Sequence, residues 1–254
     1  MIDGRRGFTG SKNIADEYLG RVKKYGKWRD TYVEMQGPCV TQLQGVFVED
    51  WHFATKQNLS SAKYIPRPEI AGDQVVQVVQ SGPDGRGDVM HQLLNAVVSD
   101  AEKSISIITP YFVPDRAMML ALTSAAYRGV RVRLLLPSKS DSFLVLWAGR
   151  TFYDDLIDAG VEIYELDDCM LHSKVVIVDQ RWSMVGSANM DVRSFQLNFE
   201  MTNIIYDEDV SRELHADFDG LCKQSRRMDE QSLKSWTYPE SLAMGLARLA
   251  TPIL

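Results

Sequence analysis

One short pattern of polar residues occurs twice in the chain, 176 positions apart. Each copy consists of an aspartate, six intervening residues, Gly-Ser, one further residue and an asparagine. The two copies are formed by Asp3, Gly10, Ser11 and Asn13 and by Asp179, Gly186, Ser187 and Asn189. The spacing is too long for a solenoid repeat, so the pattern predicts two copies of a whole domain.

The sequence after Asp73 alternates β-rich runs with segments of helical apolar spacing. Strands are predicted over 75–79, 104–109, 130–136, 161–164, 175–178 and 202–206, and helices over 87–101, 115–128, 146–159 and 207–222. Strands separated by helices of this length predict an α/β fold, with a mixed or parallel sheet flanked by helices. We expect residues 74–254 to form one complete lobe and 56–73 to be a linker. Residues 1–55 are then the remnant of a duplicated first lobe.

Composition limits the classes of function. A chain of 254 residues, 45% hydrophobic and 24% charged, is typical of a soluble globular protein. The 28 basic and 34 acidic side chains give a net charge of −6, which disfavours a dedicated nucleic-acid binder. No apolar run reaches the roughly 18 residues of a membrane-spanning helix. Three widely spaced cysteines predict free thiols.

Chemically active residues precede the second copy of the repeat. His172 and Lys174 lie two apart in a β-rich run, so their side chains share one face. Ser187 and Asn189 are related in the same way, and Gly186 allows a close backbone approach. Together these groups form a receptor for a phosphate, in which the lysine supplies charge and the histidine can attack phosphorus or move a proton. Acidic residues do not cluster beside them, so we predict neither a metal ion nor a cofactor.

The aspartates of the repeat have a different predicted role. Asp179 has the opposite parity to His172, so we expect it to support the site without touching substrate, and Asp3 is its counterpart. By the same offset, the first copy's histidine and lysine would lie five and three residues before Met1. We therefore expect a two-copy protein cut through its first motif. The remaining histidines have no such neighbours and are expected to be structural.

The pattern from His172 to Asn189 reads H-x-K-x4-D-x6-G-S-x-N and resembles the signature of the phospholipase D superfamily. Further blocks are similar to those of bacterial cardiolipin synthases, and the similarity extends over essentially the whole chain. These blocks include 28–31, 81–84, 109–114 and 193–200.

The resemblance implies a phospholipase D-like fold and a phosphatidyltransferase with two motif histidines facing each other. One histidine attacks the phosphodiester to form a phosphohistidine, and the other protonates the leaving alcohol. In a cardiolipin synthase, donor and acceptor are both phosphatidylglycerol, and glycerol leaves. His172 matches the histidine that acts as acid and then base, and Lys174 matches the phosphate-binding lysine. Implied supporting residues are Ser187, Asn189 and Glu200, the last holding the histidine, and their first-lobe counterparts Ser11, Asn13 and Asp30.

Other interpretations stay open. The phosphohistidine is given to water in a phospholipase D or a nuclease, and the chain could instead be a non-catalytic remnant that binds anionic phospholipid. Because the first-motif histidine and lysine are missing, we expect the isolated chain to be inactive. A homodimer that pairs two His172 motifs is less favoured, because the remaining first-lobe residues would obstruct it.

The resemblance also implies a location at the bacterial inner membrane, on its cytoplasmic side, with phosphatidylglycerol as the partner. The chain itself is expected to be soluble or peripheral. Apolar residues at helical spacing in 239–254 are compatible with lipid contact. Phe143, Leu144, Leu146 and Trp147 are compatible with an acyl-chain groove, although internal packing is the favoured role in both places.

Overall fold

A computed structural model describes residues 1–24, 26–61, 63–65, 67–83 and 88–251. Its strands are β1 (Arg6–Gly10), β2 (Trp28–Arg29), β3 (Tyr32–Gln36), β4 (Val75–Ser81), β5 (Ser104–Ile108), β6 (Phe112–Val113), β7 (Arg131–Pro137), β8 (Glu162–Leu166), β9 (Met170–Leu171), β10 (Val175–Val178), β11 (Trp182–Gly186), β12 (Met190–Asp191), β13 (Glu200–Tyr206) and β14 (Ser225–Met228). Its α-helices are α1 (Cys39–Thr55), α2 (Val89–Asp100), α3 (Arg116–Tyr127), α4 (Phe143–Arg150), α5 (Tyr153–Asp158), α6 (Val192–Gln196), α7 (Glu208–Lys223), α8 (Glu230–Lys234) and α9 (Tyr238–Arg248).

A mixed sheet of eight strands forms the centre of the fold, in the order β14-β8-β7-β5-β10-β11-β13-β4. The pairs β5–β7 and β7–β8 are parallel, and the other pairs in this sheet are antiparallel. Helices lie between the parallel strands along the chain, as crossover connections require. The prediction of an α/β fold with a sheet flanked by helices is confirmed.

The alternation of side chains along β10 divides the core into two layers. Val176 and Val178 pack in the larger cluster with α2 and α3, whereas Val175 and Ile177 pack in a second cluster with Phe218 of α7. All four residues of β10 are buried. A continuous run of β-branched residues is expected for a strand covered by helices on both faces.

Residues 1–55 pack onto the edge of this sheet. β1 and β3 form an antiparallel pair, and a small core of Met35, Val40 and Leu43 contacts Val76 and Val78 of β4. β2 also pairs in parallel with β9. The described residues of 56–73 contain neither a helix nor a strand. The structure therefore joins the first segment to the rest of the chain at two separate places, the β4 edge of the sheet and the short strand β9.

The structure differs from the local predictions at several places. The helix predicted over 146–159 is two helices, α4 and α5, because Phe152 turns into the core and the Thr151 hydroxyl donates to the carbonyl of Ala148 at 2.6 Å. Strand β11 was not predicted, since its sequence, with a serine between apolar residues, has no clear alternation. None of the helices in the described ranges has the length and apolar character needed to cross a bilayer.

The sequence repeat has a structural counterpart. The turn at Asp3 and Gly4 and the turn at Asp179 and Gln180 each contain two successive residues with positive φ, as in a type I′ turn. Each turn is followed by a five-residue strand, β1 or β11, whose bounds differ by the same 176 positions. Each strand ends at the glycine of the repeat and leads directly to its serine.

Gly186 lies where β11 and β13 approach most closely. A Cβ at this position would lie 2.4 Å from Oγ1 of Thr202 and 2.5 Å from the carbonyl oxygen of Met201. The neighbouring amide of Ser187 donates to the same carbonyl at 2.9 Å. The absence of a side chain at Gly186 therefore allows β13 to hold Ser187.

We predict that Gly186→Ala lowers the free energy of unfolding by about 1–3 kcal/mol, because the methyl group must push two strand backbones apart. Gly220→Ala is the matched control, since a Cβ there, in the middle of α7, meets nothing within 4 Å. Alanine should raise stability at that helical position by roughly 0.5–1 kcal/mol. Urea denaturation of both variants gives the comparison. Equal stabilities would contradict the close approach.

Candidate active site

A polar cleft of about 600 Å³ lies at the junction between the first segment and the main sheet. It is lined by Ser11, Asn13, Tyr18, Tyr111, His172, Lys174, Ser187, Asn189, Leu197, Asn198, Phe199 and Glu200. The structure therefore brings together seven residues that the sequence proposed for the site, from positions as distant as 11 and 200. Tyr18 and Tyr111 were missed, because no pattern in the sequence distinguishes them from core aromatics.

The imidazole of His172 has a defined partner on each nitrogen. Nδ1 lies 3.1 Å from Oδ2 of Asp30, and Nε2 lies 3.2 Å from Nζ of Lys174. A carboxylate only accepts hydrogen bonds and an ammonium only donates them. These partners therefore assign the neutral tautomer in which Nδ1 carries the proton and Nε2 accepts from the Lys174 ammonium.

The pairing of the short strands β2 and β9 brings Asp30 to His172. β2 pairs with β9, and the amide of His172 donates to the carbonyl of Arg29 at 2.8 Å. Arg29 is anchored in turn by an ion pair with Asp217 of α7. The Ser11 hydroxyl donates to the Asp30 carboxylate and lies 3.0 Å from the carbonyl oxygen of His172. Asp30 is thus fixed by the backbone that carries it and by its neighbours.

Two aromatic rings form one side of the His172 environment. The ring centroids of Tyr18 and Trp28 lie 5.3 Å and 5.6 Å from that of His172, both in edge-to-face geometry. The hydroxyl of Tyr18 accepts a hydrogen bond from Nδ2 of Asn13 at 2.8 Å. These contacts restrict rotation of the imidazole, so Nε2 keeps its direction.

Lys174 is a buried cation, with only 7% of the residue exposed. Its Nζ donates to the carbonyl of His172 at 2.8 Å. Burial lowers the pKa of Lys174 to about 8, although the negative charges of Asp30 and Glu200 act in the opposite direction. An anion in the cleft would favour the charged ammonium.

Ser187, Asn189 and Glu200 belong to a hydrogen-bonded cluster, joined through Ser194, that also lines the cleft. Oγ of Ser187 donates to Oε2 of Glu200 at 2.5 Å, and Oγ of Ser194 donates to Oε1 at 2.9 Å. The amide of Asn189 donates to Oγ of Ser194, whereas its own side-chain oxygen is buried without a partner among the described residues. The cluster offers polar groups to a ligand from a fixed position.

Asp30 and Glu200 occupy equivalent positions in the two copies of the repeat. Gly10 pairs with Tyr32, and Gly186 pairs with Thr202, so each acid lies two residues before the partner of the repeat glycine. Each acid also accepts a hydrogen bond from the repeat serine of its own copy.

The expected role of Glu200 needs correction. The sequence interpretation had Glu200 holding the histidine, but Glu200 accepts from Ser187, Ser194 and Asn198, and the acid that contacts His172 is Asp30. The reason is geometric, because β2 runs beside β9 and delivers the acid of one copy to the histidine of the other.

Asp179 and Asp3, which were expected to support the site without touching substrate, do not line the cleft. Asp179 lies beyond the far end of β10, where its carboxylate accepts from the backbone amides of Glu102, Lys103 and Ser104 at 2.7–3.1 Å. These bonds lower its pKa against the opposing effect of burial, which is the larger single contribution. Asp3 is exposed in the equivalent turn. Both aspartates shape turns.

The other histidines lie outside the cleft. His91 contacts Asp115, His215 contacts Arg133, and His52 is exposed on α1. Among the residues the structure describes, no group of three or more histidine, cysteine or acidic side chains is arranged to hold a metal ion. The three cysteines are free.

Comparison with solved structures identifies the class of fold. The chain is similar to phosphatidylserine synthase of Haemophilus influenzae, with a TM-score of 0.66 and 14% identity over 92% of this chain and 66% of that one. It is also similar to Nuc, a phospholipase D family member of Salmonella typhimurium, with a TM-score of 0.53 and 22% identity over 62% of this chain and 100% of that one. The fold is therefore phospholipase D-like, as the resemblance implied.

Residues 94–222 match the family model described as cardiolipin synthase, PLD-like domain. The chain belongs to this family. It is 41% identical to cardiolipin synthase 2 of Bacillus cereus and 40% identical to cardiolipin synthase of Geobacillus kaustophilus, in each case over 100% of this chain. The chain spans about half the length of these relatives, 50% and 51% respectively.

The pKa of Lys174 generates a prediction about stability. Between pH 8 and its ordinary pKa of 10.5, the unfolded chain holds a proton that the folded chain has released. The wild type should therefore gain stability with rising pH in this window, relative to Lys174→Met, by up to about 1.4 kcal/mol per pH unit. Below pH 8 the difference should be constant. Urea denaturation of the wild type and Lys174→Met from pH 7 to 10 measures this difference in the free energy of unfolding. A difference that does not change with pH would contradict a buried, titrating ammonium.

Proposed function

We propose that the cleft transfers a phosphatidyl group between two alcohols, as the names of the curated relatives suggest. The observation that carries the proposal is the arrangement Asp30–His172–Lys174, in which a carboxylate orients an imidazole whose free nitrogen lies beside an ammonium. This is the combination that a phosphodiester needs, because phosphoryl transfer depends on a positioned base or nucleophile and on donors for the phosphate oxygens.

The phosphate binds first in this scheme. Lys174 neutralises charge on a non-bridging oxygen, which restores the pKa that burial has lowered, and the side chains of Ser187 and Asn189 line the same cleft as neutral groups. The carbonyl of His172 now holds the ammonium of Lys174 at 2.8 Å, and a phosphate oxygen would compete with it. Substrate binding and the charge state of Lys174 are therefore coupled.

The chemistry then takes two displacements. A nucleophilic imidazole forms a P–N bond while the P–O bond to the leaving glycerol breaks, and a second imidazole gives its proton to the glycerol oxygen. That second imidazole then takes the proton of an incoming alcohol, whose oxygen forms the new P–O bond as the P–N bond breaks. We assign His172 to the acid and base role, for which Nε2 must first take up a proton to form the imidazolium that donates to the glycerol oxygen. Asp30 stabilises the imidazolium in each protonated state.

The full reaction we propose joins two phosphatidylglycerol molecules into cardiolipin and releases glycerol, at the surface of a bacterial membrane. The relatives named cardiolipin synthase support the substrate, and the net charge of −6 favours a lipid over a nucleic acid. Since His172 is the one histidine among the described residues that line the cleft, we propose that the second comes from residues outside these 254 positions.

The test is cardiolipin formation from phosphatidylglycerol vesicles by a longer form of the protein that supplies a second H-x-K pair upstream of Met1. His172→Ala should reduce the rate by at least about a thousandfold, since it removes the acid and base. Asp30→Asn should reduce kcat by about a hundredfold, because the tautomer and orientation of His172 are lost. Product is quantified by mass spectrometry.

Asp179→Asn is the matched control for Asp30→Asn. It should keep kcat and lower the melting temperature, because Asp179 supports a turn outside the cleft. Full activity in His172→Ala would contradict the assignment. An equal loss of kcat in both aspartate variants would show that the effect of Asp30 is not specific to the histidine.

A further inference from the structure

Tyr111 and Asp141 form a hydrogen-bonded pair at the border of the cleft. Tyr111 follows β5 and Asp141 lies in the loop after β7, and because these two strands are parallel neighbours, their carboxyl ends share one edge of the sheet. This is the edge at which α/β sheets generally bind ligands. The hydroxyl of Tyr111 donates to Oδ1 of Asp141 at 2.7 Å. Tyr111 lines the cleft with His172 and Lys174, whereas Asp141 is exposed beside the lining.

The backbone holds Tyr111 in a fixed position. Its carbonyl oxygen accepts from the hydroxyl of Thr109 at 2.9 Å and from the amide of Met190 at 3.2 Å. The residues that follow form β6, which pairs with β12. A Cβ at Gly149 would lie 2.5 Å from the carbonyl oxygen of Phe112, so α4 packs closely against this segment. A side chain on so constrained a backbone can position a ligand group.

The hydroxyl of Tyr111 offers an acceptor to the cleft. Burial raises the pKa of Tyr111, and the hydrogen bond to Asp141 raises it further, so the phenol keeps its proton. A phenol has one proton, which is donated to Asp141 here, and its oxygen can still accept a hydrogen bond. The carboxylate of Asp141 only accepts. The pair therefore suits a ligand group that donates, such as the hydroxyl of an alcohol.

The charge of Asp141 reaches the phosphate-binding part of the cleft. Burial lowers the pKa of Lys174 to about 8, and Asp141 is among the carboxylates that oppose this effect. An ammonium and a carboxylate at two sides of one cleft favour different parts of a ligand, the phosphate beside Lys174 and an uncharged donor beside Asp141. A second anionic group is disfavoured at this border.

We infer that Tyr111 and Asp141 position the alcohol that accepts the phosphatidyl group and thereby favour transfer over hydrolysis. The headgroup of phosphatidylglycerol carries two neighbouring hydroxyls. One attacks phosphorus, so that its oxygen forms the new P–O bond, its proton passes to Nε2 of His172 and the P–N bond of the phosphohistidine breaks. The other donates to Tyr111 or Asp141.

Water competes for the same phosphohistidine but has no second hydroxyl with which to contact Tyr111 or Asp141. Its attack would release phosphatidic acid. The pair therefore lowers the barrier for the alcohol and leaves the barrier for water unchanged. This inference rests on the proposed function, because it requires a phosphatidyl group on a histidine of the cleft.

The test is the ratio of cardiolipin to phosphatidic acid formed from phosphatidylglycerol vesicles by the longer form of the protein. Both products come from one intermediate, so their ratio does not depend on how much of a variant is folded. Tyr111→Phe should lower the ratio by about three- to tenfold, because the acceptor alcohol loses a hydrogen bond. Asp141→Ala should lower it as well, and its exposed side chain can be removed without disturbing the core.

Vesicles of phosphatidyl-1,3-propanediol test the same contact from the side of the lipid. This lipid keeps the attacking hydroxyl and lacks its neighbour. The wild type should give a ratio of transfer to hydrolysis that is lower than with phosphatidylglycerol by about the same factor. Tyr111→Phe should cause no further decrease with this lipid, because the contact is already absent.

Tyr164→Phe is the matched control. Tyr164 of β8 also donates to a carboxylate, Oε2 of Glu162, at 2.7 Å, and it does not line the cleft. Its removal should leave the ratio unchanged. If Tyr111→Phe and Asp141→Ala keep the wild-type ratio while cardiolipin is formed, the inference is wrong and the proposed function stands. If the wild type forms no cardiolipin, the proposed function itself is wrong.

Discussion

The hydrogen bond between Asp30 and His172 is the interaction on which the site depends. It joins residues 142 positions apart and fixes the tautomer of the imidazole, so that Nε2 is left to the cleft. Both side chains are largely buried, at 5% and 10% exposure, where such a bond is stronger than in water. Without the carboxylate, Nδ1 would be a buried donor with no acceptor. The bond therefore requires residues 1–55 to be docked on the sheet.

The rest of the structure supports that docking. β2 is only two residues long, and its position comes from pairing with β9 and from the ion pair between Arg29 and Asp217. α1 and β3 add a small apolar core against β4. The duplication explains this arrangement, since the glycine and serine of each copy of the repeat are followed along the chain by an acid at an equivalent register. The acid of one copy then contacts the histidine of the other.

Much of the fold and of the candidate site was predictable from local sequence. The parts that were not predictable depend on contacts between distant segments. The parity of His172 with Lys174 and of Ser187 with Asn189 predicted a shared face for each pair. All four line the cleft, although residues 172–174 lie between β9 and β10 and residues 187–189 between β11 and β12. The partner of His172 is not local, so Glu200 was expected where Asp30 lies. Asp179 was grouped with the site by its place in the motif, but the length of β10 carries it to the opposite end.

Long-range ¹H–¹⁵N correlation spectroscopy of the histidines tests the central claim most directly. The wild type should show His172 as the neutral tautomer protonated at Nδ1, and Asp30→Asn should shift the proton toward Nε2, because an amide can donate to Nδ1 where the carboxylate only accepted. His91 and His215, which lie outside the cleft, serve as internal references. The account would be contradicted if His172 were the neutral tautomer protonated at Nε2 in the wild type. It would also be contradicted if the His172 signals were the same in the wild type and in Asp30→Asn.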